Sequence, residues 1–447
     1  MFYKYQKENT EKHGTWDLQL ESDLIPIDEE TFKKDLENLK VAQSKLLEFD
    51  VDEILEFLDT LVSKWIMDPL FTKRYGDLGI SFLLSFMRKE NLSNLLEASL
   101  IGNRKSLDRF TSLPGMDKQL IATPRGIITH WLAGNVPVLG MISIIQGIIT
   151  KNINVIKLPR ENGRVLPEML SEFKSLSITT SKGNVFSGEH IYSCVAFYYC
   201  DRTDASAQKQ LSVNSDVRVA WGGREAVESV MQLPRRYGTQ DVIFGPKYSF
   251  AAIGKNSVRR DNVVEISKKL AMDASFFEQQ GCNSPHTVFI ENGGEIDYVE
   301  FGEHLANAMK KVLKRIPKRD IRNSQIGNIL NTRMDYMLDG IVHSSKGIDW
   351  TVIVSDEQGL ADACYNRTVF VRPVNSIDEI VHFVEHNKHQ SIGLALEDSR
   401  LIELSIELAR KGIERVTEVG KMSVYDHPWD GMLPLARFIR WTSRPKT

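Results

Sequence analysis

From Gly126 to Thr150 the chain runs without a single Asp, Glu, Lys or Arg, and no other stretch limits the fold so strongly. Roughly 20 apolar residues suffice to cross a bilayer, so length alone admits a membrane span. His130, Asn135, Pro137 and Gln146 interrupt the run, and Pro137 removes a backbone donor that lipid has no means to replace. Burial inside a sheet-and-helix core accounts for it better. Gly126-Ile-Ile-Thr-His-Trp131 reads as a strand, Ala-Gly-Asn-Val-Pro as a turn, and a helix follows from about Val138. No membrane span is expected.

The flanking sequence shows the kind of core this is. Residues 31–110 carry apolar side chains at helical spacing, as in Ile54, Phe57, Leu58, Leu61, Val62 and Trp65. From Gly126 onward short apolar runs (Val155–Leu158, Val217–Ala220, Tyr248–Ile253) alternate with helical segments at Arg164–Phe173 and Arg224–Gln232. Such alternation predicts a largely parallel, doubly wound sheet. A second series follows: a helix from Val263 through Ala274, a strand Thr287–Glu291, a helix around Tyr298–Lys314, and strands Trp350–Val354 and Thr368–Val371. The fold class is therefore α/β with two parallel-sheet domains. A helical region spans 1–110, the first α/β domain 111–258, the second 259–425 and a tail 426–447, with the join near Gly254–Asp261. Within the tail, Leu435–Ser443 alternates like an edge strand.

Composition removes several classes of function. At 447 residues, 42% hydrophobic and 26% charged, the chain can bury large cores. A formal net charge of -3 offers no bulk electrostatic basis for nucleic-acid binding. Four scattered cysteines (Cys194, Cys200, Cys282, Cys364) form neither a disulfide framework nor a CxxC zinc pair. No metal is expected, and a reducing, cytoplasmic setting fits. Met1-Phe-Tyr-Lys-Tyr-Gln-Lys-Glu-Asn9 alternates charge and aromatics and lacks a signal peptide's apolar core.

One cysteine stands apart. Cys282 lies in Phe276-Phe-Glu-Gln-Gln-Gly-Cys-Asn-Ser-Pro285, a small-residue turn before the apolar run Thr287–Ile290. A thiol on such a turn is reachable by substrate and, with a lowered pKa, gives a strongly nucleophilic thiolate; taken alone, the residue reads better as a buried and inert cysteine, because free Cys is among the most buried residue types. Asn135, in the turn of the uncharged stretch, offers a side-chain amide to a developing oxyanion or simply caps the turn. Gly222 and Gly223 stand between an apolar run and a helix, where backbone can approach a pyrophosphate and the helix N-terminus supplies donors. No GxGxxG is present. His130, His286 and His427 are candidates for proton transfer or for structure, and none is assigned.

Taken together, His130-Trp-Leu-Ala-Gly-Asn-Val-Pro-Val-Leu-Gly140, Asn154-Val-Ile-Lys-Leu-Pro159 and the Cys282 turn resemble the acyl-CoA reductases of the bacterial luminescence fatty-acid reductase complexes, a branch of the aldehyde dehydrogenase superfamily. The resemblance runs from about Val51 to the C-terminus. It implies an aldehyde dehydrogenase-like fold, with residues 111–258 binding a nicotinamide nucleotide and residues 259–425 carrying the catalytic cysteine. Cys282 would be the nucleophile and Asn135 the oxyanion contact. Lys157 matches the lysine that contacts the adenosine ribose, and Arg160 suits a 2′-phosphate, so the expected cofactor is NADPH, with NADH as the other choice. Gly222, Gly223 and Arg224 match the superfamily's phosphate turn. Asn366–Val371 resembles the strand that approaches the nicotinamide ribose, without the superfamily's acidic contact.

The segment Val242-Ile-Phe-Gly-Pro-Lys-Tyr-Ser249 lies where hydrolytic relatives carry a water-activating glutamate, and that position is Ile243 here. An acyl thioester on Cys282 would then resist hydrolysis, which favours an acyl-thioester reductase making a long-chain fatty aldehyde. The alternatives are an aldehyde-oxidising dehydrogenase of the same fold, and a non-redox acyl-transfer or scaffold subunit. The expected substrate is acyl-CoA or an acyl-protein. The resemblance also implies an acyl-protein synthetase and an acyltransferase as partners, and a homo-oligomer joined through the tail strand.

Overall fold

The computed structural model describes residues 1–6, 16–20, 22–113, 115–319, 321–425 and 427–446. Lys7, Glu8 and Asn9 of the N-terminal segment, and Asp426, lie outside them. The chain forms two compact units, Met1–Gly245 with Met432–Thr447, and Pro246–Gly431.

The first unit is built on a seven-stranded sheet in the order Gln240–Phe244, Val217–Trp221, Ile127–Trp131, Ile153–Lys157, Val195–Cys200, Phe2–Tyr5, Leu24–Pro26. Its first five strands are parallel, and the two N-terminal strands extend it antiparallel. The uncharged stretch forms the centre. Ile127–Trp131 is buried at every residue, and the helix Pro137–Ile149 is buried at all but one. Pro137 occupies the helix's first turn, where its missing N–H costs nothing. His130 is a satisfied core residue: its ring nitrogens lie 2.9 Å from Ser143 Oγ and 3.0 Å from Asn154 Oδ1. Burial pushes the imidazole down to about 4.

Five α-helices, Glu29–Leu46, Val51–Met67, Pro69–Tyr75, Ile80–Phe86 and Lys89–Ser99, fill the region read as helical. All six apolar positions named for helical spacing are buried on Val51–Met67. What the spacing did not foretell is that Phe2–Tyr5 and Leu24–Pro26 join the sheet. Phe2 does so by packing its ring edge-on to Phe32 at 5.1 Å. The tail also differs from its reading as one edge strand: Leu435–Phe438 is a helical turn, and Ile439–Pro445 pairs antiparallel with Lys118–Pro124 of the same chain.

The second unit holds another seven-stranded sheet, in the order Ile341–Ser344, Thr351–Val354, Thr368–Val374, Pro285–Glu291, Tyr248–Ile253, His389–Ala395, Arg415–Glu418. Only the first pair is antiparallel. Pro285–Glu291 and Thr368–Val374 are buried throughout, the mark of parallel strands covered on both faces. Tyr248–Ile253 was read as the last strand of the first domain; it pairs instead with Pro285–Glu291 and His389–Ala395. The change of sheet thus precedes this strand, because its alternating neighbours come from further along the chain and local sequence does not reveal them.

Candidate active site

In the parallel part of the first sheet the chain starts at Ile127–Trp131, adds Ile153–Lys157 and Val195–Cys200 on one side, then returns to add Val217–Trp221 on the other. Ligands of such sheets bind outside the carboxyl ends of the strands at this reversal. A cleft of about 710 Å³ opens there, lined among others by Leu132, Lys157, Arg202, Gly223, Arg224 and Glu225. Lys157 ends its strand half-buried and makes no ion pair among the described residues; its nearest charged influences are few, and burial pushes its ammonium below the usual value.

The Gly222-Gly223 turn leads into the helix Arg224–Gln232. Gly222 donates its N–H to Phe244 O at 3.2 Å, and a Cβ on it would lie 3.1 Å from Ala226 Cβ. Gly223 faces open space, so nothing bars a ligand from the helix's first N–H groups. The donor set fits a nucleotide pyrophosphate: a lysine with no ion pair among the described residues, a glycine turn and a helix N-terminus around one cleft. Arg224 is exposed and pairs with Glu228 at 2.8 Å. Arg160 is exposed and is not among the lining residues, whereas Arg202, which the sequence reading did not single out, is. Arg202 follows the strand Val195–Cys200, and an Asp-Arg-Thr turn carries no motif that would have marked it.

Asn135 sits exposed in the bend between Trp131 and the helix Pro137–Ile149. The bend is tied down by Asn162 Nδ2, which donates to Gly134 O at 2.8 Å. Val136 occupies the cap position and no side chain caps the helix.

The Cys282 turn belongs to the second unit and is heavily braced. Phe277, Glu278 and Gln279 all have left-handed backbone, at φ 51°, 54° and 58°. Such residues cost of order 1–3 kcal/mol each and persist only where surroundings hold them. Here Gln279 donates through Nε2 to Pro285 O (2.8 Å) and Thr368 O (3.0 Å) and accepts from Thr368 N (2.7 Å). Glu278 receives both arms of Arg367, at 2.9 and 2.6 Å. Arg367 itself ends a second left-handed run, Tyr365–Arg367, at φ 58°, 55° and 65°. Asn366 N then donates to Glu278 O at 2.9 Å, so the two strained turns lock each other. Lys318 lies 3.8 Å from Glu278, and burial holds its ammonium down at about 8. Ser249 Oγ donates to Cys282 O at 2.7 Å, and Asn283 Nδ2 to Met422 O at 2.6 Å. A Cβ on Gly281 would lie 2.7 Å from Asn283 Oδ1, which is why glycine precedes the cysteine.

Of the four cysteines only Cys282 is not buried. Burial pushes Cys194 up to about 12 and Cys200 up to about 11. Cys282 is half-buried as a residue, yet its sulfur is enclosed, and that enclosure pushes the thiol well above its ordinary value. The nearby Asp430 adds to the rise, while a Gln390 hydrogen bond and Lys247 oppose it. The lowered thiol that a preformed thiolate needs is thus not what this unit supplies; the physical reason is desolvation without a dominant neighbouring cation.

His286 is wholly buried between Tyr248 and Tyr365, with ring contacts at 5.7 and 5.0 Å. It starts the strand rather than facing a substrate, and burial holds its imidazole at about 4. Asp430, a residue passed over by sequence reasoning, lies buried near Cys282, and burial raises its carboxyl to about 7. It lies three residues after His427, but Gln390 and Lys247, which influence it, are distant in sequence.

The family model described as acyl-CoA reductase (LuxC) matches residues 46–441. Among characterised relatives, a long-chain acyl-protein thioester reductase of Vibrio harveyi is 25% identical over 91% of this chain and 85% of its own length. The same-named protein of Photorhabdus luminescens is 28% identical over 80% of this chain and 71% of its own. Among solved structures, aldehyde dehydrogenase 21 of Physcomitrella patens aligns with a TM-score of 0.67 at 12% identity, covering 99% of this chain and 97% of that one. An NADP-dependent glyceraldehyde-3-phosphate dehydrogenase of Bacillus halodurans aligns with a TM-score of 0.61 at 12% identity, covering 95% and 92%. Two parallel-sheet domains of the aldehyde dehydrogenase type, a braced cysteine turn and a match over most of its length converge: the chain belongs to the LuxC family of acyl-CoA reductases.

Proposed function

We propose that this protein reduces long-chain acyl thioesters to fatty aldehydes with NADPH, through an acyl group carried on Cys282. The observation that supports this most is the cysteine turn. It holds the one cysteine of four that is not fully buried as a residue, braced by Gln279, Ser249 and Asn283, in a chain whose relatives are named long-chain acyl-protein thioester reductases.

The Cys282 sulfur attacks the thioester carbonyl of an acyl-CoA or acyl-protein. Negative charge gathers on the carbonyl oxygen and is met by the Asn135 amide and the Cys282 backbone N–H, an arrangement worth about 3–4 kcal/mol in comparable sites. The pairing of Asn135 with Cys282 is carried by the sequence motifs. The bound nicotinamide supplies a hydride. Lys157 and the Gly222-Gly223 turn hold the nucleotide, and Arg160, Arg202 and Arg224 are the cations available to a 2′-phosphate. The thiohemiacetal on Cys282 then collapses to aldehyde and free thiol. Ile243, on the strand Gln240–Phe244, provides no base for water, so the acyl group passes to hydride rather than to hydrolysis. The tail strand Ile439–Pro445 is the segment we assign to homo-oligomer formation, and an acyl-protein synthetase and an acyltransferase are the partners that fit an acyl-protein substrate.

The test is a labelling experiment. Protein incubated with radiolabelled acyl-CoA should accumulate label without NADPH and release it as aldehyde when NADPH is added. Acid production from aldehyde and water without CoA would replace this reading with the dehydrogenase one. A charge-assisted contact from Lys157 is worth about 1.5–3 kcal/mol. Lys157→Met should therefore weaken NADPH binding, read by fluorescence titration, by about 10- to 100-fold. The rate of acyl transfer to the protein without NADPH should not change.

A further inference from the structure

An amide stabilises a developing oxyanion only if it is held in place before the charge appears, and Asn135 stands exposed on its bend. The bend rests on the loop that leaves the strand Ile153–Lys157. Asn162, half-buried in that loop, donates through Nδ2 to Gly134 O at 2.8 Å, the carbonyl of the peptide that joins Gly134 to Asn135. The two segments also approach closely. A Cβ on Gly134 would lie 2.6 Å from Glu161 O and 3.3 Å from Pro159 Cβ, so only glycine lets the bend settle on the loop.

The loop is itself locked from the N-terminal side. Asn162 has left-handed backbone at φ 54°, a conformation that asparagine tolerates better than most residues. Its N–H donates to Asp17 Oδ1 at 2.9 Å, and Val165 N donates to its carbonyl at 3.1 Å. On either side, Leu18 N donates to Arg160 O and Arg164 N to Trp16 O, both at 3.0 Å. Gly163 is closed in as well, since a Cβ there would lie 2.6 Å from Leu18 Cγ. Residues 16–18 thus clamp the loop, and the Asn162 amide passes that rigidity to the bend. Leu132, where the bend begins, and Lys157, where the loop departs, both line the nucleotide cleft.

We propose that Asn162 is a positioning residue for acyl transfer: its amide fixes the peptide before Asn135 and so holds the Asn135 side chain where the thioester oxygen gathers charge. The assignment rests on the reading of Asn135 as the oxyanion contact. Asn162 makes and breaks no bond in the reaction and acts only through the bend. A displacement of about 1 Å in such a group is enough to slow a reaction up to about 100-fold.

The test is a double-mutant cycle on acyl transfer from acyl-CoA, without nicotinamide, in the full chain. Asn162→Gly keeps the left-handed backbone and removes the donor. It should lower the maximal rate about tenfold and leave the half-saturating acyl-CoA concentration within about threefold of wild type. Asn162→Asp keeps the shape of the side chain but turns an acceptor toward Gly134 O, and should lower the rate at least as far. Asn135→Ala should cost about 100-fold. Added to Asn135→Ala, Asn162→Gly should change the rate by less than about twofold, because the amide it positions has gone. A loss of about tenfold in both backgrounds is the mark of a merely structural role and would overturn the proposal. Wild-type rates in Asn162→Gly and Asn162→Asp would overturn it too. If Asn135→Ala itself transfers acyl groups at the wild-type rate, the oxyanion reading fails and the role of Asn162 falls with it. If Asn135→Ala is slow and the two Asn162 variants are not, only the role of Asn162 fails.

Discussion

Cys282→Ala should retain NADPH binding and lose aldehyde formation from acyl-CoA by at least about 1,000-fold, since without the sulfur there is no covalent carrier and only positioning remains. Cys282→Ser is the sharper comparison. Its hydroxyl is a poor nucleophile without a strong base, so acylation should drop nearly as far. Any ester that forms should give up its acyl group to hydride more slowly than a thioester. Stopped-flow nucleotide oxidation with parallel acyl labelling separates these steps. Labelling of Cys282→Ser at the wild-type rate with wild-type aldehyde yield would remove Cys282 from the mechanism.

The second large effect concerns the ion pair beneath the same turn. Arg367→Met removes both guanidinium contacts to the buried Glu278 carboxylate and leaves it only Lys318, at 3.8 Å, as a cation; removal of one partner of a buried pair costs about 3–5 kcal/mol. For a unit of this size that corresponds to about 6–20 °C in unfolding temperature, measured by scanning calorimetry. Glu278→Gln combined with Arg367→Met should recover at least about 1 kcal/mol of the loss, because the buried charge that has lost its close partner is gone. A single variant that unfolds at the wild-type temperature would mean the two left-handed turns hold without the pair.

The contrast between these residues shows what a linear sequence exposes. The strand, turn and helix at 126–150 were legible because burial there excludes every charge from a continuous run. The helix Arg224–Gln232 was legible because glycine precedes it and its apolar positions recur at helical spacing. Lys157, Asn135 and Cys282 were reachable because each sits in a local motif. Asp430, Gln390 and Arg202 were not, since their significance comes from partners brought together only by the folded sheets. The strand Tyr248–Ile253 was placed in the wrong sheet for the same reason: strand pairing is a long-range property. Nor did local pattern reveal the high thiol of Cys282, which depends on enclosure by residues far along the chain.

The return of Ile439–Pro445 to pair with Lys118–Pro124 carries a consequence for biosynthesis. Residues 246–431 form their unit from one uninterrupted segment, whereas the other unit needs strands separated by more than 300 positions. On the ribosome, the later segment can reach its native contacts while the earlier one still awaits its closing strand. Truncation by even a few residues upstream of Pro445 should therefore expose the edge of Lys118–Pro124 and leave nascent chains prone to mispair there.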